Sequence, residues 1–119
     1  MIPKILIVDD SSFARSKIKK SLASLDVEIL EASSGEQAIQ MAKEFEPEII
    51  TLDLLMPEMT GQTALAAIRA FNKDVKVIIV SADIQVQTQA ELFNSGAVSF
   101  LNKPVIAEEL LNAVKALLP

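Results

Sequence analysis

Lys4-Ile5-Leu6-Ile7-Val8-Asp9-Asp10-Ser11-Ser12 is an apolar run of strand length that ends in two carboxylates and two hydroxyls. Consecutive apolar and β-branched residues suit a strand buried on both faces, as in a parallel sheet covered by helices. The carboxyl ends of such strands are where open α/β sheets bind their ligands. Asp9 and Asp10 repel one another there, at a cost in free energy unless a cation lies between them. The pair therefore suggests an oxygen-rich site for a hard cation. The same residues would also serve simply to end a strand and cap a helix, since Asp is a good N-cap.

Outward from this stretch the pattern repeats. Residues 11–25 carry Ala14, Ile18, Leu22 and Leu25 at helical spacing, with Arg15, Lys17, Lys19 and Lys20 on the other faces. That basic cluster is either a solvated helix face or a docking surface for an acidic partner. Residues 27–32 form a second strand, and Ser33-Ser34-Gly35-Glu36 caps a helix running through Ala38, Ile39, Met41, Ala42 and Phe45. A third strand over 48–53 again ends in a carboxylate, Asp53, followed by a loop punctuated by Pro57 and Gly61. A helix over 62–71 points Leu65, Ile68 and Phe71 inward. The fourth strand, 75–80, ends in Ser81, Ala82 and an exposed Asp83. A polar helix through Val86, Ala90, Leu92 and Phe93 closes at Asn94-Ser95-Gly96, a plausible left-handed cap. The fifth strand, 97–101, leads to Asn102-Lys103-Pro104, and the last helix spans 107–118. Five strands alternating with five helices predict an α/β domain with a parallel sheet covered on both faces.

Composition narrows the chemistry. The 119 residues make one domain, half of them apolar, with a net charge of −5. The acidic balance argues against direct binding of nucleic acid. With no cysteine there are no disulfides or thiolate sites, and with no histidine there is no imidazole base, ligand or phosphoryl carrier. Serine-hydrolase and zinc-hydrolase chemistries are thereby excluded. No leader is evident and no apolar run approaches the roughly 20 residues that span a bilayer. A soluble, cytoplasmic protein is expected.

Four of the five strands end in a chemically capable side chain: Asp9 and Asp10, Asp53, Ser81, and Lys103. A parallel sheet brings all these ends to one edge. Three carboxylates there would hold Mg²⁺, which prefers oxygen ligands. The ion and an ammonium would keep Asp53 an anionic nucleophile, and Ser81 could donate to a transferred oxyanion. Such a set suits phosphoryl transfer onto a carboxylate.

The order and spacing of Ile7-Val8-Asp9-Asp10-Ser11, of Leu52-Asp53 followed by Met56-Pro57 and Gly61, of Val80-Ser81-Ala82, and of Gly96-Ala97 leading to Lys103-Pro104 carry a resemblance. Over its whole length the chain resembles the receiver domain of response regulators, the CheY-like family of two-component signalling. The resemblance implies a flavodoxin-like (βα)5 three-layer sandwich with strand order 2-1-3-4-5 and a stand-alone receiver domain over residues 1–119. It implies Asp53 as phosphoacceptor, and Asp10, Asp53 and the backbone carbonyl of Leu55 as Mg²⁺ ligands, with Asp9 helping to position the ion. Ser81 would hydrogen-bond the phosphoryl group and Lys103 would pair with it. Phe100 matches an aromatic position whose rotamer reports activation; it would equally be a half-buried strand residue against the fourth helix. The donor would be a phosphohistidine on a sensor histidine kinase or histidine-phosphotransfer protein. The output face would be formed by the fourth helix, fifth strand and fifth helix. Such a protein catalyses only its own phosphorylation and dephosphorylation.

Asp10-Ser11-Ser12-Phe13-Ala14-Arg15 is similar to chemotaxis-type regulators, which favours a motor-switch partner over a phosphorelay intermediate or phosphate sink. Leu55, two residues after Asp53, offers no group to orient water. A flavodoxin-like redox protein would need a hydroxyl- and glycine-rich phosphate loop where Asp9-Asp10 stands, and a P-loop or dinucleotide site fails with only three glycines. A pseudo-receiver that only binds partners stays a minor alternative.

Overall fold

The computed structural model describes residues 2–82 and 86–118, with the side chains of 86–88 left aside. Five strands form one parallel sheet: β1 (Lys4–Val8), β2 (Glu28–Ala32), β3 (Ile49–Leu52), β4 (Lys76–Ser81) and β5 (Ala97–Asn102). Their order is β2-β1-β3-β4-β5, as expected. Between and after them run α1 (Ser12–Ser21), α2 (Gly35–Phe45), α3 (Gly61–Phe71), α4 (Val86–Asn94) and α5 (Ala107–Leu117).

The unbroken apolar runs are explained by two cores, one on each face. Leu6, Val8, Ile50, Leu52, Val77 and Ile79 pack with Ala38, Ala42, Leu65, Ile68 and Leu92 of α2, α3 and α4. The alternate residues Ile5, Ile7, Ile49, Ile78 and Val80 pack with Ile18, Leu22, Leu110 and Val114 on the side of α1 and α5. Side chains alternate along a strand, so a run apolar at nearly every position is what fills both, with Thr51 of β3 a buried polar exception. Among the described residues no helix is long and apolar enough to cross a membrane.

Helix starts follow the hydroxyl signals. Ser11, Ser34 and Thr60 each accept a hydrogen bond from the backbone N–H three residues on, Ala14, Gln37 and Thr63. The ends depart from expectation in two places. The first helix stops at Ser21, not Leu25: Leu22, Ala23 and Leu25 donate to carbonyls three residues back, winding the chain into turns. Leu22 and Leu25 still reach the core, because a turn keeps the i, i+3 relation. Phe71 points outward, 41 % exposed, with the Lys43 ammonium 5.2 Å from its ring centre. It is the last helical residue, where Val75 already closes the core. Of the apolar residues expected to anchor α4, Leu92 is buried while Ala90 and Phe93 are exposed. Asp83 and the side chain of Val86 lie outside the described residues.

Gly96 turns the chain from α4 into β5 at φ 104°, in the left-handed region. A Cβ there would also run into the Arg69 guanidinium, which donates to the carbonyls of Gly96 and Lys73. Gly96→Ala is expected to cost about 2 kcal/mol from the backbone alone, with the displaced Arg69 adding to it; urea unfolding measures the loss.

Candidate functional site

Three of the four strands that carry chemistry, β1, β3 and β5, are continued past their last residue by one ladder bond, and Ser81 is itself the last residue of β4. The Asp9 N–H donates to Ala32 O at 3.1 Å and the Asp53 N–H to Val8 O at 3.1 Å. The Lys103 N–H donates to Ser81 O at 2.9 Å. Asp9, Asp53 and Lys103 are thus held by the sheet rather than by free loops. The Lys103–Pro104 peptide is cis.

The side chains converge. Lys103 Nζ donates to Asp9 Oδ2 at 2.7 Å and to Asp53 Oδ2 at 3.1 Å. The other oxygen of each carboxylate is also engaged: Asp9 Oδ1 accepts the Ser11 N–H at 2.9 Å, and Asp53 Oδ1 accepts the Leu55 N–H at 3.1 Å. Burial works against the Lys103 ammonium, but its hydrogen bonds to Asp9 and Asp53 and their charges outweigh that penalty. Its pKa therefore lies above the ordinary lysine value, and it is charged at neutral pH.

Asp9 and Asp10 are not equivalent. Asp9 is buried, whereas Asp10 is exposed and its carboxylate has no hydrogen-bond partner or ion pair among the described residues. Neighbouring residues of an extended chain face opposite ways, which separates the two. Carboxylate oxygens of Asp9, Asp10 and Asp53 lie within 4.8 Å of one another. Three carboxylates against one ammonium leave a net excess of negative charge, and the donors are hard oxygens. The set fits Mg²⁺. Asp9 and Asp53 are each engaged through both oxygens, which makes Asp10 the one carboxylate of the three open to an ion without exchanging a partner among the described residues.

Asp10→Asn removes one like charge and no partner. Without divalent cations its melting temperature is expected to rise by a few degrees, on the order of 1 kcal/mol. Added Mg²⁺ is expected to stabilise it far less than the parent; melts in chelator and in Mg²⁺ make the comparison.

Asp53 is deep, with 6 % of its side chain exposed, while Leu55 beside it is 59 % exposed. The Ser81 hydroxyl is buried with no partner among the described residues. Phe100 is half-buried, its ring 4.7 Å from that of Phe93 of α4 at an interplanar angle of 77°. The basic cluster of α1 is smaller than expected. Lys17, Lys19 and Lys20 are exposed, but Arg15 turns inward onto Glu31 and the carbonyl of Asp9. The sequence also hides the role of Gly61. A Cβ there would collide with the carbonyl of Asp53 and with Leu54, so glycine is needed for α3 to start this close to β3.

The profile of the response regulator receiver domain matches residues 5–115. A chemotaxis protein CheY of Bacillus subtilis is 38 % identical over 115 residues, covering 96 % of this chain and 96 % of that protein. A chemotaxis protein CheY of Listeria monocytogenes is 41 % identical over 113 residues, covering 94 % of this chain and 95 % of that one. Among solved structures, the CheX-CheY-BeF3-Mg+2 complex from Borrelia burgdorferi superposes with a TM-score of 0.91 at 33 % identity, covering 96 % of this chain and 87 % of that chain. The parallel sheet in order 2-1-3-4-5, the acidic cluster at its carboxyl edge and these likenesses agree: the chain belongs to the response-regulator receiver domains of the CheY-like type.

Proposed function

We propose that this receiver domain accepts a phosphoryl group on Asp53 from a phosphohistidine of a sensor kinase or phosphotransfer protein. The observation that carries the reading is the meeting of Asp53 with the Lys103 ammonium inside a cluster of three carboxylates. An Asp53 oxygen attacks phosphorus, the P–N bond breaks, and the imidazole departs with the electron pair. Asp10, Asp53 and the Leu55 carbonyl would hold Mg²⁺, with Asp9 orienting the site. When bound, the cation supplies charge neutralisation to the phosphoryl oxygens. Lys103 holds Asp53 Oδ2 by a hydrogen bond beforehand and offers its ammonium to the new phosphoryl oxygens afterwards. The buried Ser81 hydroxyl is a donor ready for one of them.

The same reading supplies a switch. Ser81 drawn toward the phosphoryl group leaves space into which Phe100 turns, giving up its edge-to-face contact with Phe93. That repacks the face of α4, β5 and α5 for a protein partner, and phosphate and partner then favour the same state. The likeness to chemotaxis CheY proteins supports a chemotaxis-type output. Incubation with a small phosphodonor and Mg²⁺ tests the acceptor role: one phosphoryl adduct mapped to Asp53 supports it, and no adduct refutes it.

Exposed Leu55 cannot orient an attacking water, so slow hydrolysis of the aspartyl phosphate is expected. Leu55→Asn should shorten its lifetime several-fold, followed by loss of the adduct in mass spectra; an unchanged lifetime contradicts this.

A further inference from the structure

The Asp10 carboxylate is exposed and makes no hydrogen bond or ion pair among the described residues, so its placement depends chiefly on the backbone that carries it. Three consecutive peptide units set that direction. The unit before Asp9 is held by the Asp9 N–H on Ala32 O. The unit after Asp10 is held by the Ser11 N–H on Asp9 Oδ1. The middle unit, joining Asp9 to Asp10, is held through its carbonyl, which accepts Arg15 Nη1 at 2.7 Å. A peptide unit is planar, so fixing its oxygen fixes the Cα of Asp10 as well.

Arg15 is itself braced. Its Nε donates to Glu31 Oε1 at 3.0 Å, and its side chain is only 16 % exposed. Glu31 lies on β2, in register with Ile7 of β1. A guanidinium this near a carboxylate cluster would otherwise be drawn to the carboxylates. Glu31 takes one side of the fork and leaves the other for the neutral carbonyl. The Arg15–Glu31 pair adds no net charge, so the negative excess that attracts a dication is kept.

We propose that Arg15, braced by Glu31, is a positioning residue that aims Asp10 at the cation site. The inference rests on the metal reading of the acidic cluster and concerns the two residues outside it that shape it. Arg15 donates from two different nitrogens, Nε and Nη1, held in one rigid plane, a geometry that the single nitrogen of a lysine does not reproduce.

Calorimetric titration of the intact protein with Mg²⁺, well below its melting temperature, provides the test. Arg15→Lys and Arg15→Met are expected to weaken Mg²⁺ binding roughly ten-fold or more, and Glu31→Gln to weaken it in the same direction. The double variant should lose less than the sum of the two, because both act through one contact. At saturating Mg²⁺, labelling of Arg15→Lys by a small phosphodonor should return toward the parent rate. Should Arg15→Met fail to fold, Arg15→Lys and Glu31→Gln decide the matter. Lower melting temperatures with parent-like Mg²⁺ affinity would make Arg15 purely structural and overturn the proposal. A parent protein that binds no Mg²⁺ would overturn the metal reading, and the proposal with it.

Discussion

Asp53→Asn is expected to lose all Mg²⁺-dependent labelling by a small phosphodonor. The carboxamide nitrogen shares its lone pair with the carbonyl, and its oxygen carries no net charge, so neither atom attacks phosphorus as a carboxylate does. Loss of labelling is informative only in a folded protein, and the site supplies that control. Three carboxylates lie within 4.8 Å of one another, and removing one lessens their mutual repulsion. Lys103 keeps its contact with Asp9. The variant should therefore melt at or above the parent temperature in chelator while giving no adduct. Persistent labelling of Asp53→Asn at parental rate would show that another residue is the acceptor.

Lys103→Met is expected to have the largest effect on stability. The ammonium is shared by Asp9 and Asp53, whose side chains are 2 % and 6 % exposed. Removing it leaves two buried anions without a counter-charge. Breaking a buried pair costs 3–5 kcal/mol; with Lys103 itself 24 % exposed, water softens the loss to about 3 kcal/mol. The pH dependence follows from the direction of the lysine shift. Its folded-state pKa lies above the ordinary 10.5, so its contribution is fully present below 10.5 and is lost as pH rises through the folded value. The stability gap between parent and variant should hold steady across neutral and mildly alkaline pH and narrow only beyond 10.5. Mg²⁺ should recover more stability in the variant than in the parent, because a dication replaces the missing charge. A variant as stable as the parent at neutral pH in chelator would contradict this account.

The strands were legible because β1, β3 and β4 are buried on both faces and their inner residues are apolar except for Thr51 of β3. From alternation of strands and helices alone, the carboxyl ends had to share one edge, and the fold brings Asp9, Asp10, Asp53 and Lys103 together there. The strand order came from the family resemblance rather than from spacing. Helix faces were less legible. Phe71 and Phe93 continue apolar stripes that outrun the layer they cover, and spacing cannot say where a sheet ends. The inward turn of Arg15 was hidden for a similar reason. Its partner Glu31 is near only because β2 lies beside β1, and a helical wheel places Arg15 merely on the flank. The difference between Asp9 and Asp10 was within reach, since alternation along an extended chain sends one inward and the next outward.

Ser81 keeps a hydroxyl buried with no acceptor among the described residues, a deficit of about 1–3 kcal/mol. On the proposed phosphoacceptor function, such a deficit is latent energy of the unmodified form, to be released when an oxyanion arrives. Two conformations can therefore be set apart by a want in one of them as much as by a gain in the other. An alanine in its place would make the unmodified protein sturdier while blunting its contrast with the modified one.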